Sequence, residues 1–339
     1  MLPQTVKPLA AAPPRFADVV AAAARLAGHA SRTPLLRAPP LPGAKGATLL
    51  VKAETLQRGG AFKFRGAYNR LAQLDAAQAA AGVVAWSSGN HAQGVAAAGQ
   101  LLGIRTTIVM PADAPVIKVE NTRRLGAEIV FYDRPRENRE EIACALAAKR
   151  GATVVPSYDD PHIIAGQGTV GLEMVAQARE LGAAPFNAVL IPIGGGGLIA
   201  GCALALHELS PATEIYGAEP VGFDDTARSL ASGKRETNVP GAQTLCDALL
   251  SPTPGELTFP INKRLLRGGF AVTDEMVLAA MAWAWRELKL VVEPGGAVAL
   301  AAVLHGLYDC NGKTVGVVLS GGNVDPDVYR KALDGNMRE

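Results

Sequence analysis

Four consecutive glycines, Gly194, Gly195, Gly196 and Gly197, follow an apolar run over residues 188–193 and precede a helical pattern. Glycines at a strand–helix junction turn the chain tightly and leave backbone N–H groups at a helix N-terminus. Hydrogen bonds and the helix dipole both favour a phosphate there. The dinucleotide fingerprint G-x-G-x-x-G fails, because its last position falls on Ile199 counted from Gly194 and on Ala200 counted from Gly195. No Walker lysine follows either. The pattern suits one phosphate monoester, and its plain alternative is a flexible glycine loop.

Three further segments carry chemistry. Lys63 stands between Phe62 and Phe64 and opens a helical run. Burial on an apolar face lowers a lysine's pKa and makes its amine a nucleophile, although a surface lysine with a packed stem reads the same way. Ser87-Ser88-Gly89-Asn90-His91 follows a strand and starts a helix. Such residues cap helices, and they also form a site for a carboxylate. His91 alone reads as structural. Ser320, before Gly321-Gly322-Asn323, puts a hydroxyl at the carboxyl end of the last apolar strand, where α/β sheets place ligands. Phosphate cradle, desolvated lysine, anion-binding turn and strand-end hydroxyl are together the parts that hold pyridoxal phosphate.

The elements that must position these residues alternate. Strands are expected at 48–52, 82–85, 106–110, 128–131, 188–193, 214–218 and 314–319. Helices are expected at 16–27, 90–102, 114–125, 137–149, 168–181, 198–209 and 274–290. This is an α/β pattern with parallel strands, and near-continuous apolar strands suit a sheet covered on both faces. A self-sufficient βαβαβα block implies a small domain over 82–160, inserted into a larger one built from 1–81 and 161–339.

Composition narrows the function classes. The 339 residues carry 33 basic and 31 acidic side chains, a balance without the concentrated basic surface that nucleic acid requires. At 49% hydrophobic and 19% charged, the chain has material for a sizeable core. Cys144, Cys202, Cys246 and Cys310 are far apart and show neither a disulfide framework nor zinc spacing, which points to a reducing cytosol. No apolar run approaches a membrane span, and residues 1–14 read as a loose Pro/Ala-rich tail. A soluble, cytoplasmic protein is expected.

The sequence resembles the fold-type II pyridoxal-phosphate enzymes (tryptophan synthase beta-like), in the threonine dehydratase and serine racemase branch. Six segments carry the resemblance in the family's order: 61–67, 87–91, Ile164-Ala165-Gly166-Gln167-Gly168-Thr169, 194–197, Glu293-Pro294-Gly295-Gly296-Ala297 and 320–323. The resemblance implies a larger doubly wound sheet domain with an inserted smaller α/β domain. It implies pyridoxal 5'-phosphate, with Lys63 as Schiff base and Cα proton base beside Phe62, and the phosphate on Gly194–Gly197. It further implies Asn90 at the ring hydroxyl, Glu293 near the ring and Ser320 at the pyridine nitrogen. The Ser87, Ser88, Gly89, Asn90 and His91 turn would receive the substrate carboxylate. A neutral Ser320 leaves the ring a weaker electron sink, which favours prompt loss of a β-hydroxyl over transamination.

Within that branch the resemblance implies an L-serine/L-threonine dehydratase (ammonia-lyase) acting on a β-hydroxy amino acid. The alternative is a serine racemase or 3-hydroxyaspartate dehydratase. In that case Ser88, a position where many threonine dehydratases carry alanine, serves as a second base. The stretch 218–225 resembles the divalent-cation site of serine racemase-like members, carried over as Glu219, the carbonyl of Phe223, and Asp225, for Mg²⁺, Mn²⁺ or Ca²⁺. Gly59-Gly60-Ala61 departs from the more usual Thr-Gly-Ser. Only residues 324–339 follow the last motif, so the isoleucine-binding regulatory domain of biosynthetic threonine dehydratases is not expected. A homodimer is expected from the family, and a protein that binds the cofactor without turnover is the reading from a different class.

Overall fold

The computed structural model describes residues 12–41, 43–114 and 116–336. The expected N-terminal tail lies outside them up to residue 11. Ten strands run in chain order as β1 (Leu35–Arg37), β2 (Thr48–Ala53), β3 (Val83–Trp86), β4 (Thr106–Pro111) and β5 (Glu128–Tyr132), then β6 (Thr153–Val154), β7 (Ala188–Pro192), β8 (Glu214–Pro220), β9 (Gly268–Val272) and β10 (Thr314–Leu319). They form two sheets. One has six strands in the order β1-β2-β10-β7-β8-β9, and the other has four in the order β5-β4-β3-β6. All pairings are parallel except β1 with β2.

The large sheet is helix-covered on both faces, which is why its central strands lack alternation. Every residue of β7 and of β10 is buried. One face packs on the helix Pro294–Leu304, whose first ten residues are all buried. The other packs on the helices Pro161–Glu180 and Gly197–Leu209. The small sheet packs its β3 and β4 side chains against the helices Lys63–Leu71 and Asn90–Leu102. The helix bearing Lys63 therefore contributes its apolar face to the core of the smaller sheet, although it precedes residue 82 in sequence.

Several elements differ from the sequence reading. The short β1, β6 and β9 escape it, since two to five residues give periodicity little to act on. The long helix begins at Pro161 rather than at 168, with the Asp160 carboxylate accepting from the N–H groups of His162 and Ile163. The helix expected over 274–290 is α-helical only to Trp283. It then widens into a π turn over Ala284–Leu288 and stops at Lys289, whose φ is +58°. All four cysteines are unpaired.

Candidate active site

Each sheet reverses its strand order once, and parallel sheets bind ligands in the crevice at such a reversal. In the small sheet the reversal lies between β3 and β6. In the large sheet it lies between β10 and β7. The chain leaves β3 into the Ser87–His91 turn, β6 towards Ser157, β10 at Ser320 and β7 at Gly194. The two crevices thus supply the anion turn, the strand-end hydroxyl and the glycine tract.

Lys63 opens the helix Lys63–Leu71. Its entry is clamped to β10: Ala61 bridges Gly321, and the Phe62 N–H donates to the Ser320 carbonyl at 3.0 Å. The Lys63 ammonium donates to the Ser157 carbonyl at 2.8 Å and lies 5.1 Å from the centroid of the Phe62 ring. Burial lowers its pKa to about 8, although the Glu293 carboxyl pulls the other way. An amine partly deprotonated near neutrality can attack a carbonyl carbon and move a proton.

Four helices begin at this site without a side-chain cap: those starting at Lys63, Asn90, Gly197 and Pro294. Some other helices carry one, from Asp75, Asn138, Asp160 and Thr273, whereas those starting at Phe16, Asp225 and Thr258 do not. Ser87 and Ser88 are capping residues by type, yet neither caps this helix. Instead, the Ser87 hydroxyl accepts from the Gly89 N–H at 3.1 Å, and Ser88 and Ser320 keep their hydroxyls unpaired. The N–H groups opening the helix at Asn90 are left for an anion.

Asn90 is oriented from both ends of its amide. Its nitrogen donates to Glu293 at 2.5 Å, and its oxygen accepts from Asn323, which also holds the Gly59 carbonyl. One amide hydrogen of Asn90 remains to be donated. Glu293 is buried, and burial followed by the nearby Asp247 pushes its pKa up to about 8. The His91 ring turns inward, with Nε2 on the Val155 carbonyl at 2.9 Å and Nδ1 without a partner. Burial and the charge on Lys63 push its pKa down to about 3, so the ring is neutral. A carbonyl only accepts, which puts the proton on Nε2. What His91 gives the turn is its backbone.

The tetraglycine forms a cradle that a Cβ would fill. Gly196 has φ +89°, and a Cβ there would lie 2.7 Å from the Asn262 amide nitrogen. A Cβ on Gly195 would collide with the Tyr158 ring, and one on Gly197 would lie 3.0 Å from the Tyr158 Cβ. The carbonyls are turned outward and tied: Thr258 donates to Gly195 at 2.7 Å, and Asn262 to Gly196 at 3.4 Å. The Asp159 carboxylate accepts from the N–H groups of Glu256, Leu257 and Thr258, which fixes the helix carrying Thr258 and Asn262. None of Ser157, Tyr158, Asp159, Thr258 or Asn262 stands out in the sequence. Their partners are distant in the chain, where no local pattern can reveal them.

Glu219 and Asp225 are both buried. Glu219 accepts from the N–H groups of Thr226 and Ala227 at 3.1 and 2.8 Å, beside Asp225, whose Oδ2 has no partner. Burial, then the like charge of Asp225, pushes the Glu219 pKa up to about 8, and burial pushes Asp225 up to about 7. An orphaned buried carboxylate oxygen beside a second carboxylate fits a hard cation. Among the described residues no group of three or more His, Cys, Asp or Glu side chains gathers for a metal.

A family model described as "Pyridoxal-phosphate dependent enzyme" matches residues 26–321. The chain is 43% identical over 320 residues to an L-threo-3-hydroxyaspartate ammonia-lyase of Pseudomonas sp, covering 94% of this chain and 98% of that protein. It is 42% identical over 308 residues to a serine racemase of Arabidopsis thaliana, covering 89% and 90%. Among solved structures, a threonine deaminase of T.th. superposes with a TM-score of 0.85 at 44% identity, covering 92% of this chain and 99% of that one.

Proposed function

The chain belongs to the pyridoxal-phosphate dependent enzymes, and on that premise we propose that it is an ammonia-lyase acting on a β-hydroxy amino acid. The reaction takes out the β-hydroxyl and the Cα proton as water, and hydrolysis of the resulting imine gives a 2-keto acid and ammonia. The observation that carries the reading is a desolvated Lys63 amine set beside a strand end whose hydroxyl, Ser320, is neutral and unpaired.

The residues fit the cofactor. The N–H groups of Gly194–Gly197 would take the phosphate, because the Gly195 and Gly196 carbonyls are held away and a side chain on Gly195, Gly196 or Gly197 would close the cradle. The spare amide hydrogen of Asn90 would be available to donate to the ring hydroxyl. Ser320 would serve as a neutral partner for the pyridine nitrogen, one that does not force a proton onto it, and Glu293 would lie near the ring. When bound, pyridoxal phosphate supplies an aldehyde carbon and a ring that withdraws electrons from Cα. The uncapped N–H groups after Ser87 hold the substrate carboxylate, and Lys63 takes the Cα proton.

A second reading, racemisation, is favoured by one observation: the Ser88 hydroxyl makes no hydrogen bond and is free to exchange a proton on the other face of Cα. A divalent cation held by Glu219, the Phe223 carbonyl and Asp225 accompanies that reading. A cytoplasmic homodimer is part of the proposal, and no described helix is long and apolar enough to cross a membrane.

The test is keto-acid release by the purified holoenzyme from L-serine, L-threonine, D-serine and the 3-hydroxyaspartate diastereomers, with and without EDTA. Release from at least one is expected, and no release from any overturns the lyase. Interconversion of L- and D-serine that Ser88→Ala abolishes while elimination persists would establish the second reading. Interconversion untouched by that change removes Ser88 from it.

A further inference from the structure

Lys118 stands outside the machinery described so far. It lies on the helix Val116–Arg124, beside the small sheet, yet its ammonium pairs at 2.5 Å with Asp247, which belongs to the large-sheet half. Asp247 opens the 3-10 turn Asp247–Leu249. That turn is wedged between two walls of the site. A Cβ on Gly194, in the glycine cradle, would lie 3.4 Å from the Leu249 Cα. A Cβ on Gly295, in the first turn of the helix that Glu293 precedes, would lie 3.2 Å from the Ala248 Cβ. The ion pair therefore spans the cleft between the sheets at the edge of the site.

The pair is also lopsided. The Lys118 side chain is 16% exposed and that of Asp247 is 54% exposed. A half-exposed carboxylate forms a weak, replaceable partner, because water and salt screen it. The lysine is the sheltered member, and a sheltered ammonium needs a carboxylate close by. Both charges are felt at Glu293, where Asp247 raises the pKa and Lys118 lowers it. Lys63, the other cation acting on Glu293, is committed to the cofactor.

We propose that Lys118 is the residue that recognises the second carboxylate of a dicarboxylic β-hydroxy amino acid, with Asp247 holding its ammonium until substrate displaces it. The inference rests on the ammonia-lyase reading and names the substrate class within it. A substrate with a methyl or hydrogen at that end leaves the Lys118–Asp247 pair in place. One with a carboxylate exchanges one ion pair for another inside a less hydrated cleft, where a charge-assisted hydrogen bond is stronger.

The experiment compares wild-type, Lys118→Met and Lys118→Arg holoenzymes on two axes. The first is the ratio of kcat/KM for L-threo-3-hydroxyaspartate to that for L-serine. The second is calorimetric binding of succinate, which has the carbon skeleton and carboxylate spacing of hydroxyaspartate but cannot react. Lys118→Met should lower the ratio by roughly tenfold or more and weaken succinate binding by a similar factor, with partial rescue in Lys118→Arg. Asp247→Asn should tighten succinate by removing its competitor. A ratio within about twofold of wild type in Lys118→Met, or succinate binding that ignores Lys118, overturns the proposal. If wild type turns over no β-hydroxy amino acid, the ammonia-lyase reading fails, and the succinate titrations still decide the role of Lys118. If Lys118→Met fails to fold, Lys118→Gln, which also removes the charge, and Asp247→Asn carry the same comparison.

Discussion

In the proposed reaction one amine, that of Lys63, decides the chemistry, and its protonation follows from a contest between desolvation and a neighbouring acid. Burial takes Lys63 down to about 8 from the ordinary 10.5, and Glu293 opposes the shift. Only the neutral amine has the lone pair needed to join the cofactor aldehyde, so the reactive fraction grows as pH rises through about 8. The rate at which apoprotein takes up pyridoxal phosphate, followed by absorbance after rapid mixing, should rise from about pH 6.5 and level off above roughly 9. Glu293, itself pushed up to about 8, ionises over the same range, so Glu293→Gln removes a charge that grows with pH and should move the midpoint to lower pH. A midpoint near 10 in wild type would show that the amine is not desolvated. In the sequence the flanking Phe62 and Phe64 hinted at desolvation, but a surface lysine with a packed stem reads the same way, and the family resemblance, not the local pattern, singled Lys63 out. The inward turn of His91 was not legible, since its partner, the Val155 carbonyl, lies 64 residues away.

Secondary-structure elements set which N–H groups are free, and at the candidate site the helices starting at Lys63, Asn90, Gly197 and Pro294 all open without a side-chain cap. Strand–helix junctions at Gly194 and Ser87 could be read locally, and they are where the proposal places its two anion sites. The helix Pro294–Leu304 could not be read from periodicity, because a helix buried all round shows no polar face. The start of the helix at Pro161 did have a signal, Asp160 followed by proline. The junction after β8 carries its own prediction. Glu219 and Asp225 have folded pKa values of about 8 and about 7, above the unfolded 4.5 and 3.8. Each therefore stabilises the protein fully below its unfolded value, and that contribution is lost as pH rises through the folded value. In EDTA the Tm should fall between about pH 5 and pH 8.5 by several degrees, on the order of 2–4 °C per kcal/mol. A cation stabilises the deprotonated pair, so saturating Mg²⁺, Mn²⁺ or Ca²⁺ should flatten the fall, and Asp225→Asn in EDTA should flatten it too. Identical profiles with and without metal would leave Glu219 simply as the acceptor for the helix that follows it.

Across the whole molecule, the two sheets must hold their crevices in register, and a buried charge network two residues beyond Lys63 does this. Arg65 forks onto Glu54, at the end of β2, with nitrogens 2.8 Å from each carboxylate oxygen, and onto Glu173, in the helix Pro161–Glu180, at 2.7 and 2.9 Å. Lys52 completes it at 2.6 Å from Glu173, with the Thr33 carbonyl and Gln177 as further partners. Two cations and two anions balance. Burial alone would raise the Glu54 pKa, but Arg65 wins and holds it below the ordinary value. Its stabilisation is therefore present above the unfolded carboxylate range and is lost as pH falls through the folded value. The helix bearing Lys63 can sit this close because Gly66 and Gly166 have no side chains: a Cβ on Gly166 would lie 2.6 Å from the Arg65 carbonyl. Arg65→Met leaves one buried carboxylate uncompensated, which costs about 3–5 kcal/mol. Urea unfolding of the apoprotein, followed by tryptophan fluorescence, should show that loss. Adding Glu54→Gln to Arg65→Met restores the charge balance and should recover part of it, which separates electrostatics from the volume of the lost side chain. A loss below about 1 kcal/mol in the single variant would mean that water or a shifted Lys52 replaces Arg65, and that packing alone keeps the lysine helix in place.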